Sequence, residues 1–253
     1  MTKPKAIAFD LDGTLAESKQ RLSAEMGELM AELTRAMPVA IISGASFVQF
    51  QAQFFPALPE TAQLENLYIF PENAGQCFVY REQSWKPQYD HSFTEQEKAT
   101  ILHALQDGLR QTGLDQKPPT LWGEQTEDRG AQISFSPLGQ QAPIAAKEMW
   151  HSEHDAMRKQ LVTILTALLP NFSIAAGGLT TIDITHKGIT KAYGIQRFSE
   201  LTRTPIPETL YVGDALDEGG NDAAVLETGV PTHAVFGPEE TAAFIEAILH
   251  KVH

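Results

Sequence analysis

Ala6-Ile7-Ala8-Phe9-Asp10-Leu11-Asp12-Gly13-Thr14 is the stretch whose reading decides the fold. Its four leading apolar residues form the short run expected of a buried strand. Asp10 and Asp12 stand two apart, so at a strand end their carboxylates point the same way, and Gly13 lets the chain turn. Carboxylates about 4 Å apart repel by roughly 4 kcal/mol at an effective dielectric near 20. The pair therefore calls for a cation, a shared proton or ample water. With the Thr14 hydroxyl beside it, the strand end suits phosphoryl chemistry, although Asp-x-Asp-Gly alone is equally a turn signal.

Outward from this strand, residues 1–83 alternate helix and strand signals. Ser23–Ala36 carries Met26, Leu29, Met30 and Leu33 at helical spacing, and Val39–Ile42 reads as a buried strand ending at Ser43-Gly44. A helix is expected over Phe47–Phe55 and a strand over Leu67–Phe70. The middle of the chain changes character. Thr94-Glu95-Gln96-Glu97 is a capping box that opens a helix to about Gln111. Strands are expected at Thr120–Glu127 and Ala131–Ser136, then a long helix from Ala145 to Leu169, then strands at Phe172–Ala176 and Thr180–Thr185. From Gly188 the first pattern returns. A helix is expected over Lys191–Ser199, a strand over Thr209–Val212 ending at Gly213-Asp214, and helices over Asn221–Glu227 and Pro238–Leu249. The predicted architecture is α/β: a doubly wound parallel-sheet core, residues 1–84 plus 187–253, interrupted by an inserted α+β cap, residues 85–186.

Composition sets outer limits. The 253 residues carry a net charge of −13, and no stretch concentrates Lys and Arg, which argues against a nucleic-acid partner. No apolar run reaches the length of a membrane span. The single Cys77 permits no internal disulfide and fits a reducing compartment, so the expected location is the cytoplasm. His151 and His154, three apart on the long helix, read as a polar face in preference to a metal site.

Ligands of open parallel sheets bind beyond the carboxyl ends of the strands. Asp10, Asp12, Ser43, Lys191 and Asp214 all fall at such ends, so groups nearly 200 residues apart in sequence are expected to converge. Together they make a phosphoryl-transfer set: a carboxylate nucleophile, an acid/base, a hydroxyl and an ammonium for the phosphoryl oxygens, and carboxylates for a cation.

These residues resemble the motifs of the haloacid dehalogenase superfamily of aspartate-nucleophile phosphotransferases. Asp10-Leu11-Asp12-Gly13-Thr14 matches the first motif, and Ser43, Lys191 and Asp214 look like the second, third and fourth. The inserted segment resembles the α+β cap of subfamily IIB. Phe70-Pro71-Glu72-Asn73, the run Gly177-Gly178-Leu179-Thr180-Thr181-Ile182-Asp183 and the spacing from Gly213-Asp214 to Gly219-Gly220-Asn221-Asp222 are similar to eukaryotic-type phosphomannomutases. The resemblance implies that Asp10 is the nucleophile, Asp12 the acid/base, and Lys191 the counter-charge to phosphate, with Ser43, Gly44 and Thr14 on the phosphoryl oxygens. It places Mg²⁺ on Asp10, the Asp12 carbonyl and Asp214, with Asn221 and Asp222 in or beside that shell and Asp217 a rival for the outer position. Lys19, Arg129, Lys147, Thr181 and Asp183 match sugar- or phosphate-binding positions. A small phosphorylated metabolite is the implied partner, and the chain is expected to be a monomer or a homodimer formed through the cap.

The sequence also departs from the mutase pattern. Gln140 and Lys147 stand where the mutases have arginines, and Lys19 replaces another on the core side. Neither residue type reproduces the bidentate guanidinium–phosphate fork. Ser43 is closer to the phosphatase form of the second motif. The leading expectation is therefore a Mg²⁺-dependent sugar-phosphate phosphatase working through an aspartyl phosphate. The alternative is a hexose-phosphate mutase, and a catalytically silent binding protein of the same fold stands behind both.

Overall fold

The computed structural model describes residues 3–250 apart from 19, 218 and 219. Its residues fall into two compact units, one within Met1–Asp90, Thr190–Glu218 and Asp222–His253, the other within His91–Ile189 with Gly219–Asn221.

The first unit begins with β1 (Ala6–Phe9), α1 (Ala24–Ala36), β2 (Val39–Ile42), α2 (Phe47–Gln53) and β3 (Leu67–Phe70). Ser23 caps α1 by accepting from the Met26 amide, and Ser46 and Gln49 close a capping box on α2. Pro56 follows α2 in a single 3-10 turn, Phe55–Ala57, which ends the helix short of the predicted Phe55. Next come β4 (Gln76–Arg81) and β5 (Ser84–Asp90), an antiparallel hairpin that the sequence reading did not contain. β5 pairs within the core sheet, so residues 85–90, assigned above to the cap, belong to the core. Burial along β5 is slight, and with Lys86 and Pro87 in it the strand shows no apolar run to betray it.

The second unit holds α3 (Glu95–Thr112), β6 (Thr126–Asp128), β7 (Gln132–Phe135), α4 (Ile144–Leu168), β8 (Phe172–Gly177) and β9 (Thr181–His186). The capping box at Thr94 and Glu97 is formed as predicted. The expected strand over Thr120–Glu127 shrinks to its last residues. Pro118-Pro119 and the left-handed Gly123 break it, and the Trp122 amide donates to the Leu138 carbonyl instead. The four strands form an antiparallel sheet in the order β6-β7-β9-β8. One face, with Ile133, Phe135, Ile182 and Ile184, packs on Ile101 and Leu105 of α3 and Leu161 and Leu165 of α4.

The chain completes the first unit with α5 (Lys191–Thr202), β10 (Thr209–Gly213), β11 (Thr232–Ala234) and α6 (Pro238–Leu249). The predicted helix over Asn221–Glu227 is a 3-10 segment, Ala223–Thr228, closed by left-handed Gly229. The core sheet runs β11-β10-β1-β2-β3-β4-β5, parallel through β3. β1 has β10 on one side and β2 on the other, so the order of connection reverses there, the position at which such sheets bind ligands. Alternate strand residues serve the two faces. Ile7, Phe9, Val39, Ile41 and Val212 pack with α1 and α6, while Ala6, Ala8, Ala40, Ile42 and Tyr211 face Ile195 and Phe198 of α5. Asp10 continues the parity of Ala6 and Ala8, on the side that carries α5. No helix among the described residues is long and apolar enough to cross a membrane.

Candidate active site

The Asp10 amide donates to the Val212 carbonyl at 3.0 Å, which extends the β1–β10 pairing one residue past the strand and fixes the carboxylate at its end. Asp10 is 1% exposed. Its Oδ1 accepts from Lys191 Nζ at 2.6 Å, whereas its Oδ2 is buried with no hydrogen-bond partner. Lys191 is the first residue of α5, and its ammonium also donates to Asp222 Oδ1 at 2.6 Å. Asp222 Oδ1 accepts in addition from the Tyr211 hydroxyl at 2.6 Å, and Oδ2 from the Ala215 amide at 3.1 Å. Asp214, at the end of β10, accepts from Thr14 Oγ1 at 3.1 Å.

Two glycines allow this crowding. Gly13 has φ +84°, and a Cβ there would lie 2.6 Å from Asp214 Oδ2. A Cβ on Gly213 would lie 2.3 Å from Asp222 Oδ2. Each is the close approach of backbone to carboxylate that any larger residue would block.

The charges do not balance. Asp10, Asp214 and Asp222 each present an oxygen within 4.8 Å of the others, against one ammonium. Burial pushes the Asp10 carboxyl well above the usual carboxylate range; Lys191 opposes this, and Asp222 and Asp214 reinforce it. Asp214 is raised by partial burial and by Asp222. Burial favours the neutral amine of Lys191, but Asp10 and Asp222 together outweigh it and hold the ammonium above its ordinary pKa. A surplus of hard oxygen donors over a single ammonium fits a divalent cation such as Mg²⁺, which would be held through Asp10 and Asp214.

The remaining predicted core residues vary in how far they join this group. Ser43 is buried, and its hydroxyl accepts from the Ala45 amide at 3.1 Å, closing the turn after β2 through Gly44. A run of three left-handed residues, Glu72, Asn73 and Ala74, braces that turn. The Glu72 amide donates to the Ala45 carbonyl and the Asn73 amide to the Ser43 carbonyl. Asp12 is half-buried and makes a bridge with Ala16. Asp217 is exposed and stands outside the carboxylate cluster, and the side-chain oxygen of Asn221 is buried without a partner. Lys19 lies outside the described residues.

In the second unit the polar face of the sheet carries the predicted Thr181 and Asp183, two apart on β9. Asp183 Oδ1 accepts from Ser134 Oγ at 2.7 Å, and Ser134 Oγ accepts from Gln132 Nε2 at 2.7 Å. The Arg129 guanidinium is taken up by Glu127, with Nε and Nη2 donating to one carboxylate oxygen at 3.0 and 2.7 Å. Gln140 turns inward, donating to the Gln125 and Ser134 carbonyls. Lys147 is half-buried in the first turn of α4. His151 bonds the Leu179 carbonyl and His154 stacks on Trp150, so both serve packing, and the aspartate group above is the only candidate metal cluster among the described residues.

Sequence reading missed Tyr211, Gln132, Ser134 and Glu127. The alternation Gln132-Ile133-Ser134-Phe135 does carry a signal, since it marks a strand with one polar face. Tyr211 carries none, because within Thr209–Val212 it reads as one more buried aromatic.

The fold is shared with the N-terminally truncated IMP-nucleotidase of Plasmodium falciparum. That likeness has a TM-score of 0.71 at 17% identity and covers 98% of this chain and 71% of that one. A protein of Thermoplasma acidophilum gives a TM-score of 0.59 at 14% identity, over 99% and 100% of the two chains. Among sequence relatives, a phosphomannomutase of Dendrobium officinale is 26% identical over 93% of this chain and 90% of its own. A probable phosphomannomutase of Caenorhabditis elegans is 25% identical over the whole of both. The family profile described as "Eukaryotic phosphomannomutase" matches residues 26–251. With the strand-end aspartates, the Lys191 ion group and this match in hand, the chain belongs to the eukaryotic phosphomannomutase family, within the haloacid dehalogenase superfamily.

Proposed function

We propose that the chain transfers a phosphoryl group of a hexose phosphate through an aspartyl phosphate on Asp10, as a mutase of its family. The observation that carries this reading is the Asp10 carboxylate, one oxygen fixed by Lys191 and the other buried and unpartnered. Asp10 Oδ2 attacks phosphorus, the bond to the sugar oxygen breaks, and Asp12 gives that oxygen its proton. In the second half Asp12 takes the proton of the incoming hydroxyl, whose oxygen attacks phosphorus and releases the Asp10 carboxylate. Mg²⁺, when bound, would offset charge on the phosphoryl oxygens. Lys191 keeps its ammonium beside the nucleophile, while Thr14 and Ser43 supply hydroxyls. Thr181, Asp183, Arg129 and Lys147 are proposed to hold the remainder of the substrate.

A second reading is hydrolysis, with water as the acceptor. It is favoured by the state of two positions where a mutase must grip a second phosphate. Gln140 spends its amide on backbone carbonyls, and the Arg129 fork is occupied by Glu127.

The test is a coupled assay with mannose 1-phosphate, Mg²⁺ and a hexose bisphosphate activator, following the 6-phosphate and inorganic phosphate together. Conversion faster than phosphate release supports the mutase, and the opposite ratio the hydrolase. Turnover that persists in Asp10→Asn would sink both.

A further inference from the structure

Tyr211 is wholly buried in β10, in register with Ala8 of β1. Its side chain therefore shares the sheet face of Ala6, Ala8 and Asp10, where the two small alanines leave room for the ring. Its hydroxyl donates to Asp222 Oδ1 at 2.6 Å. Asp222 is itself fully buried and closed on all sides. Lys191 and Tyr211 occupy Oδ1, the Ala215 amide occupies Oδ2, and the Asp222 amide donates back to the Ala215 carbonyl at 3.1 Å. Gly213 passes so close to Oδ2 that a Cβ would stand 2.3 Å away. Asp10 differs, with Oδ2 holding no partner, and Asp214 differs in reaching solvent. Of three clustered carboxylates, two are open and one is sealed.

We propose that Tyr211 is a positioning residue that dedicates Asp222 to Lys191. The phenol and the Ala215 amide hold the Asp222 carboxylate on the lysine, so that Asp10 and Asp214 would be the carboxylates left to hold a bound cation. Lys191, fixed from behind by Asp222, then holds Asp10 Oδ1 and presents Oδ2 for attack. The catalytic half of this inference rests on the aspartyl-phosphate reading; the division of labour among the carboxylates does not.

Tyr211→Phe keeps the ring and deletes only the hydroxyl. With mannose 1-phosphate, kcat should fall about tenfold, as expected for one lost hydrogen bond to a charged group, while KM stays within about twofold. Mg²⁺ affinity, measured by calorimetry without substrate, should be no weaker than in the wild type. In the same titration Asp214→Asn should weaken Mg²⁺ binding about tenfold or more, and Asp222→Asn should weaken it less than Asp214→Asn does. An unchanged kcat in Tyr211→Phe would overturn the proposal, as would weaker Mg²⁺ binding in that variant, or equal losses in Asp222→Asn and Asp214→Asn. Should Asp222→Asn fail to fold, the Tyr211→Phe titration decides. A wild type without turnover would refute the proposed function, and the Mg²⁺ titrations would still judge this one.

Discussion

The two units use polar side chains in opposite ways. In the core unit, charged groups from distant parts of the chain are brought together and left unbalanced, with buried Asp10 and Asp222 and solvent-reaching Asp214 against Lys191 and one oxygen of Asp10 unpaired. In the second unit, charged and polar side chains are paired with one another. Arg129 pairs with Glu127 two residues away, Arg158 with Asp155 three away, and the buried polar chain from Gln132 through Ser134 ends on Asp183. Unsatisfied buried charge costs folding energy and is kept where chemistry uses it, whereas satisfied networks rigidify and select shape. Under the proposed function, the contrast would assign reactivity to the core unit and recognition to the second.

The sharpest way to break that contrast is at Lys191. Removing one member of a buried ion group leaves the others uncompensated, at a cost of about 3–5 kcal/mol. Lys191→Met should therefore lower unfolding free energy by about that amount in urea and abolish turnover. A variant as stable as the wild type would show that the core charges are not coupled as described.

Gly13→Ala is the next test. It forces a Cβ into a left-handed position and to 2.6 Å from Asp214 Oδ2. Mg²⁺ affinity and kcat should both drop about tenfold or more, with a stability loss of at least about 1 kcal/mol. Near-wild-type Mg²⁺ binding would contradict the proposed part of Asp214 in holding the cation.

On the other side of the comparison, Ser134→Ala should act on binding. It removes one donor to Asp183 and one acceptor of the Gln132 amide, so KM should rise several-fold, for a loss of about 1 kcal/mol, with kcat little changed. A fall in kcat alone would put reactivity in the second unit after all.

Much of the core was legible because its strands are continuous apolar runs and its acids sit at their ends. Asp10, Asp214 and Lys191 could be placed together by the rule that parallel sheets bind at their carboxyl edge, and they meet. The β4–β5 hairpin was not legible as a pair: β4 does carry the apolar run Cys77-Phe78-Val79-Tyr80, which the sequence reading passed over, whereas half-exposed β5, with Lys86 and Pro87, carries no apolar run. Roles in the second unit were harder still. Ser134 and Asp183 are 49 residues apart and meet only through strand pairing, and Arg129 offers no sign in sequence that Glu127 will occupy its fork. Asp222 was legible as an acid near Asp214, but its closure by Tyr211 and Ala215 depends on the fold of the loop between them.

The smallest expected effect concerns Cys77, which is fully buried on β4 away from the charge cluster. Burial pushes its thiol up to about 12, with Arg197 only partly opposing. The native state thus holds its proton more tightly than the unfolded chain. The thiol's contribution to stability is whole below its ordinary pKa and is lost as pH rises from there through about 12. Cys77→Ala should flatten that alkaline decline slightly, and in the wild type disulfide reagents should react with the thiol only at the rate of opening. Rapid labelling at neutral pH would contradict its burial.

The central claim is that Asp10 carries the phosphoryl group. Protein mixed with radiolabelled hexose bisphosphate and Mg²⁺, then quenched in acid, tests it directly, with Asp12→Asn, which lacks the acid/base of both transfers, included as a second variant. The account predicts an acid-stable, hydroxylamine-labile label on the peptide containing Asp10, absent from Asp10→Asn. Label that persists in Asp10→Asn, or turnover with no labelled protein in either the wild type or Asp12→Asn, would contradict it.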